Sequence, residues 1–409
     1  MRFVMNRLVK HFVLWVLLWL PLLAVGQTER FEAVVIDAQT HQTLPFAGVF
    51  VSRSNSTMTN AEGSFSIGCA PTDMLRISFV GYQTRTIVAE QMGRVVELHA
   101  VSTTLDEVTV KPYSSYLKEA IKEAQRQLKK NRRKKANFFY RQTAYADSVC
   151  YEFMEAFLSG HSSVFLRDLA LSKGRFAGIQ PDSLHYYSYY ANFFSTSQIQ
   201  VTYMPGTKVT SSDRYPLSEY YESNYDVSFD MIGSDNERLL AAHFTPKPTD
   251  KPVLDATLYL DANTYRLRKI EGRELNLKVM HRKQRGSRYE EELAALFGKD
   301  YFDELIDTEF HFVVNMTEDR EFLEVESVII EEQHELYGKT IRTSSMLFNV
   351  GDRDIGHGRL LDTQSNMHDA IESQGYDKKF WRDNEIVLRT PVEQEVLRLF
   401  ESRNLFGVF

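Results

Sequence analysis

The longest apolar run comes first: Phe12 to Val25 (FVLWVLLWLPLLAV) is 14 residues without a charge, preceded by Arg2, Arg7 and Lys10 and ending at Ala24-Val25-Gly26. Basic, then apolar, then small is the layout of a secretory signal peptide. A membrane-spanning helix needs about 20 apolar residues, and Pro21 disfavours helix within the run. Residues 1–26 are therefore expected to be cleaved after Gly26. From Phe31 to about Ala100 the period changes to short runs of β-type residues, FEAVVID, FAGVFVSR, SFSIG, MLRISFV, TRTIVA and RVVELHA, separated by Gly, Pro and Asn clusters. That spacing predicts a seven-stranded type of β-sandwich over 27–101.

Next, residues 102–135 read as a linker strand and a basic amphipathic helix, with Leu117, Ala120, Ile121, Ala124 and Leu128 at helical spacing. Residues 136–409 read as a β-rich α+β domain of antiparallel strands. VLDATLYLDANTYRLRKIEGREL alternates on both sides of Asp261-Ala262-Asn263, as hairpins do, and DTEFHFVVNMTEDREFLEVESVIIEEQHEL repeats the pattern around Thr317 to Arg320. Two helices interrupt the strands. Ser287 and Glu290 form a capping box ahead of Tyr289, Leu293, Leu296 and Phe297. In the last helix Thr390 caps, Pro391 fits the first position and Glu393 completes the box, ahead of a stripe of Val392, Val396, Leu397, Leu399 and Phe400. The whole is mainly β with some α.

Charge narrows the partners. Removing the first 26 residues leaves 45 Lys and Arg against 55 Asp and Glu, net −10, a poor balance for nucleic acid or anionic lipid. No second long apolar run follows, so no transmembrane helix is expected after cleavage. Cys69 and Cys150 are too few for a disulfide scaffold; one bridge between them is open, and two unpaired core thiols are the simpler expectation. Gln27 stands where an acylated cysteine would follow the cut in a bacterial lipoprotein, so an unlipidated chain is expected.

The order VVIDAQTHQTLPFAGVFV, TMTNAEGSFSI, DMLRISFVGYQTRTIV resembles the carboxypeptidase regulatory-like domain, a transthyretin-like sandwich of exported bacterial proteins. Asp37, Leu44-Pro45, Thr59-Asn60, Glu62-Gly63-Phe65 and Phe79-Gly81-Tyr82 carry the resemblance, which implies structural rather than catalytic roles. Asn60 stands where the family commonly has Asp, and Asn can make the same turn bonds. STTLDEVTVKP, Ser102 to Pro112, resembles the join after this sandwich in TonB-dependent outer-membrane importers, which implies a Gram-negative envelope. Phe139-Tyr140-Arg141, Glu155-Ala156, Tyr376-Asp377 and Phe380-Trp381 resemble uncharacterised envelope proteins with the same sandwich in front. The TLYLDANTYRLRKIEG hairpin resembles those of periplasmic lipoprotein carriers, whose half-barrel sheet encloses a lipid-sized cavity; a plain meander sheet gives the same alternation.

A search for chemistry returns no GxSxG elbow, HExxH helix or phosphate loop. His334-Glu335 lacks the second His, Asp352 and Asp354 lack the later ligands of a calcium loop, and His281, His311, His334 and His357 are dispersed. Glu331 and Glu332 fall on alternate faces of a strand. No catalytic residue, cofactor or metal site is assigned. Two patches are candidates for contact. The first is aromatic, with Tyr186, Tyr189, Tyr190, Tyr220 and Tyr221 in a segment rich in Ser and Asn, suited to a glycan or partner face or to pairing across strands. The second is Lys129, Lys130, Arg132, Arg133, Lys134 and Lys135, suited to an anionic surface or to a solvated helix C-terminus. The resulting expectation is a non-enzymatic envelope protein, in the periplasm or on the periplasmic face of the outer membrane. Its sandwich would dock or space, and its C-terminal domain would bind a partner protein, lipid or glycan. An envelope enzyme with an unrecognised site, or a shortened relative of barrel-bearing receptors, is the alternative.

Overall fold

The structure, a computed structural model, describes residues 28–101, 113–130, 135–162, 166–179, 216–218, 221–233, 238–251, 253–276, 278–280, 305–317, 324–336, 338–361 and 367–406. The expected leader, the expected join at Ser102 to Pro112 and the expected capping box at Ser287 lie outside them.

The first seven strands are β1 (Glu29–Asp37), β2 (Gly48–Phe50), β3 (Ser56–Met58), β4 (Ser64–Cys69), β5 (Met74–Ser78), β6 (Arg85–Val88) and β7 (Val95–Leu98). They form two sheets, ordered β4-β1-β7 and β3-β2-β5-β6. Period-two alternation sends Val35, Phe65, Ile67, Leu75 and Ile77 between the sheets. The residues that carried the family resemblance hold the turns. Asp37 Oδ1 accepts the backbone N–H groups of Gln39 and Thr40, and its Oδ2 accepts the Tyr82 hydroxyl at 2.7 Å. Donors from Thr40, Tyr82 and Gln39 lower the Asp37 carboxyl to about 2. Asn60 Oδ1 accepts from the N–H groups of Glu62 and Ser64, so the departure from Asp costs the turn nothing. Gly63 has φ +76, which favours glycine.

Helix α1 (Tyr113–Lys130) leads into a single large sheet. Its strands are β8 (Lys135–Ala146), β9 (Val149–Ser162), β10 (Leu166–Gly178), β11 (Tyr225–Ile232), β12 (Leu239–Pro246), β13 (Val253–Asp261), β14 (Leu267–Leu275), β15 (Lys278–Met280), β16 (Leu305–Met316), β17 (Val325–Leu336), β18 (Lys339–Gly351) and β19 (Arg359–Leu360). The order is β11-β12-β13-β14-β16-β17-β18-β8-β9-β10-β19, with β15 on β16 and every pairing antiparallel. The sheet is open, not a closed barrel. The β13–β14 turn is set by Asp261, whose Oδ1 accepts from the N–H groups of Asn263 and Thr264.

Both faces of the central strands are covered. The inner face carries Phe138, Tyr140, Met154, Ala156 and Leu158 and joins α1 through Leu117, Ala120, Ile121 and Ala124. The outer face carries Phe139, Phe157 and Phe348 and packs on Met58 of the sandwich and on Trp381 and Val387. With both sides covered, β8 is buried almost without a break, polar residues included, whereas β13, with a more open outer face, alternates.

Most of the C-terminal segment straps this outer face, while Met367 and Ile371 join the inner-face cluster. Helices α3 (Met367–Glu372), α4 (Lys378–Asp383) and α5 (Pro391–Ser402) follow the sheet, after the short α2 (Tyr221–Asn224) between β10 and β11. The α5 box forms as the spacing predicts: Thr390 Oγ1 accepts from Glu393 N, and Glu393 Oε2 accepts from Thr390 N. Its stripe is narrower than predicted. Val396 and Phe400 are buried, whereas Val392 and Leu399 are exposed because only one flank of the helix meets the sheet.

Candidate functional site

A cluster of buried charges lies where the strap crosses the outer face. Arg141 on β8 and Arg175 on β10 both stand opposite Glu155 on β9 by register. Arg141 Nε reaches Glu155 Oε1 at 2.8 Å, Arg175 Nε reaches Oε2 at 2.9 Å, and Arg389 Nη2 reaches Oε2 at 3.1 Å. Glu155 has no solvent exposure. Burial alone would raise its carboxyl, but the charges of Arg175, Arg389 and Arg141 overcome that and hold it far below the usual carboxylate range. The remaining guanidinium bonds are also met: Arg141 donates to Val387 O and to Glu393, and Arg389 to Glu385. Arg175 lies over the Trp381 ring at 4.8 Å. With Arg30, which pairs with Glu385 and lies 3.9 Å from Glu32, four cations face four carboxylates, so the cluster is neutral. It binds the strap to the sheet and leaves no charge for a ligand.

The inner face is different. Opposed residues of adjacent strands share a face, and one rung runs Leu254, Glu274, Phe310, Glu332, Thr343, Ala144, Glu152, Gly178 across eight strands. Three glutamates thus sit on an otherwise apolar face. Glu152 is fully served: Gln142 Nε2 donates to Oε1 at 2.7 Å, and His368 Nε2 of α3 lies 3.1 Å from Oε2. Glu332 is served poorly. Its side chain is 4 % exposed, the His334 Nδ1 of the same strand face is 3.4 Å away, and neither Glu332 Oε1 nor His334 Nδ1 makes a hydrogen bond. Glu274 has no partner among the described residues, and burial raises its carboxyl to about 7.

On the α1 side of this rung the face is hydrocarbon on β13, β14, β16 and β17, whereas β18 and β8 add Ser345 and Gln142. The next rung carries Ala256, Gly272, Phe312 and Ile330. Helix α1 lies at the opposite end of β13, where Tyr116 donates to Ala262 O and Gln127 to Thr264 O. Ala262 is eight residues from Leu254, roughly 27 Å at the rise of a strand. The outer face has two clefts of about 460 and 570 Å³ that share His311 and Glu331 and are flanked by Phe46 and Arg342.

Most of the residues singled out from the sequence lie outside the described residues: Tyr186, Tyr189, Tyr190, Tyr220, Arg132, Arg133, Lys134 and the side chains of Lys129 and Lys130. Tyr221 opens α2 and packs edge-on against Phe244, at the margin of the inner-face cluster. Lys135 opens β8, exposed and opposite His161. Asp352 pairs with Arg53 of the sandwich at 3.0 Å, and Asp354 Oδ1 accepts the Gly356 N–H, so both serve turns and docking. Cys69 and Cys150 are both buried and free. Among the described residues no three His, Cys, Asp or Glu gather as metal ligands, and no helix is long and apolar enough to cross a membrane.

Residues 32–110 match the CarboxypepD_reg-like domain, so the sandwich is a carboxypeptidase regulatory-like domain. No curated protein matches the chain. Among solved structures it is similar to a LolA superfamily protein from Nitrosomonas europaea, at 10 % identity and a TM-score of 0.20, covering 57 % of this chain and 93 % of that one. It is also similar to MucB in complex with periplasmic MucA, at 9 % identity and a TM-score of 0.15, covering 57 % and 93 %. The Pseudomonas aeruginosa MucA/MucB complex gives 10 % and 0.17, covering 56 % and 93 %. Likeness at this level carries no residue correspondence.

Proposed function

We propose that this is an exported, non-catalytic envelope protein that holds an apolar ligand on the inner face of its large sheet, in the periplasm or at the periplasmic face of the outer membrane. The sandwich spaces or docks that sheet. The observation that supports this reading is the inner face itself: one apolar cluster runs from Tyr225 and Leu240 through Phe310 and Tyr140 to Leu169, with few polar groups set into it, as ligand faces are built. Tyr221 lies at its margin.

One observation favours an enzyme: the raised carboxyl of Glu274. It is a lone group. Glu332 is two strands away, about 10 Å at the usual spacing, beyond direct cooperation with it. The experiment is to purify the protein from its native envelope, extract it with organic solvent and analyse the extract by mass spectrometry, alongside binding of the neutral apolar dye N-phenyl-1-naphthylamine. A co-purifying amphiphile and saturable dye binding are expected. A clean extract with no dye binding would end the reading.

A further inference from the structure

We infer that the open half of the outer face, beside the sandwich, binds a neutral oligosaccharide, with His311 and Glu331 at the centre of the site. It lies on the opposite side of the sheet from the proposed apolar ligand and does not depend on it. Strand register builds the floor: one rung places Asp255, Arg273, His311, Glu331 and Ser344 side by side across β13, β14, β16, β17 and β18. That rung spans about 19 Å at the usual strand spacing. The two clefts of about 460 and 570 Å³ meet on it, since His311 and Glu331 line both. Each has the size of a ligand site, and the first lies where such sites concentrate, at the edge of a second domain, which contributes Phe46. The resulting trough is long enough for a chain of sugars.

The lining sets the chemistry of the occupant. Asp255 pairs with Arg273 at 3.0 Å, and Glu271 pairs with Lys269. On this face Glu309 and Glu331 then stand against Arg342, a balance too close to neutral to select a polycation or a polyanion. Hydrocarbon is confined to Phe46, Val313 and Ile329 at the sandwich end, too little for a lipid tail. What remains is a mixed set of donors and acceptors. His311, Glu331, Glu309 and Gln333 are exposed and make no hydrogen bond or ion pair among the described residues. His311 and Glu331 stand directly opposite one another, with Cβ atoms about 5 Å apart, so two neighbouring hydroxyls can engage both. A hydroxyl donates to a carboxylate and accepts from a guanidinium or an amide, so a polyol matches the whole lining, whereas an ion of either sign matches half. Half-exposed rings at the two ends, Phe46 and Tyr145, offer planes to the C–H faces of terminal sugars.

The test is saturation-transfer NMR of the full protein with maltohexaose, cellohexaose and chitohexaose, and with tetralysine as the cationic control. At least one hexaose should bind saturably. His311→Ala and Glu331→Ala should each weaken it about tenfold, the weight of one or two hydrogen bonds. Ser344→Trp, which keeps both groups and fills the trough, should abolish binding, and Glu395→Ala on the exposed flank of α5 should change nothing. Binding of no hexaose overturns the site, and so does hexaose binding that survives all three trough variants. Tighter binding of tetralysine than of any hexaose overturns the glycan in favour of a basic peptide. The three substituted side chains are exposed, so the variants should keep the circular dichroism spectrum of the unaltered protein; where one does not, the other two decide.

Discussion

Replacing Glu155 by Gln keeps the shape of the side chain and removes its charge, under three guanidiniums. Arg141 retains Glu393 at 3.3 Å and Arg389 retains Glu385 at 3.0 Å, but Arg175 loses the only carboxylate bonded to it among the described residues. An uncompensated charge then remains beside Trp381, whose exposure is 2 %. Breaking a buried pair from one side costs about 3–5 kcal/mol, so a loss of that size is expected, concentrated in the strap. The reporter is already in place: a protein prepared without residues 1–26 lacks Trp15 and Trp19 and keeps Trp381 as its sole tryptophan. Urea unfolding followed by its emission should show an earlier midpoint and a red-shifted native spectrum. The stronger test is the double variant Glu155→Gln with Arg175→Met. It restores neutrality and should recover part of the loss, so the two changes should fail to add. A loss under about 1 kcal/mol for Glu155→Gln, or a double variant less stable than the single changes summed, would refute the account of the cluster as a neutral staple.

Other expectations follow from the same geometry. Because the Glu155 carboxyl is held far below the usual carboxylate range, its contribution is complete above the ordinary value near 4.5 and is lost as pH falls further, which acid unfolding of the protein against Glu155→Gln will show. Glu274 has the opposite sign: its folded form is raised from 4.5 to about 7, so its neutral state favours folding and stability falls as pH rises through that window. Glu274→Gln should gain about 2 kcal/mol over the unaltered protein at pH 8, after discounting its partial exposure, and little at pH 4; equal differences at both pH values would count against it. Tyr82→Phe should raise the Asp37 carboxyl, but not to 3.8, since the backbone donors of Thr40 and Gln39 remain; carbon-13 titration reads this directly. Gly351 has φ +62, and a Cβ there would meet Arg53 O of the sandwich. Gly351→Ala should cost about 1–3 kcal/mol and speed proteolysis between the sandwich and the sheet, leaving the sandwich folded.

Local chemistry was legible in the sequence wherever a structure depends on neighbours in the chain. The cap at Thr390, the turn at Asp261 and the Asn60 turn are each built within three or four residues, and the six short runs became six strands, to which the fold adds β3 (Ser56–Met58). Phe139-Tyr140-Arg141, Glu155-Ala156 and Phe380-Trp381 stood out as a pattern, but their meeting was not visible. Arg141 reaches Glu155 through strand register, and Arg389 reaches it from 234 residues away, a distance that periodicity does not measure. The Glu274 and Glu332 pair was hidden for the same reason: the sequence places them 58 residues apart, and only the β14-β16-β17 register sets them on one rung. Alternation did separate Glu331 from Glu332 correctly, since Glu331 is exposed and Glu332 buried. On α5 the helical period over-counted the buried stripe because it cannot say how wide the opposing surface is.

The docking of the sandwich has a consequence for the order of assembly. Thr57 donates to Ile386 O at 2.6 Å, and Arg30 meets Glu385 at 2.9 Å, contacts that span 329 and 355 residues. A chain delivered from its N-terminus can complete the sandwich early, from contacts within about 70 residues. It cannot finish seating that domain until residue 386 has arrived. Between those moments Met58 and the aromatic outer face of β8 and β9 are uncovered, and contacts this distant form slowly. The strap is therefore the closing step of folding, and the interval before it is when the protein is most exposed to aggregation and proteases.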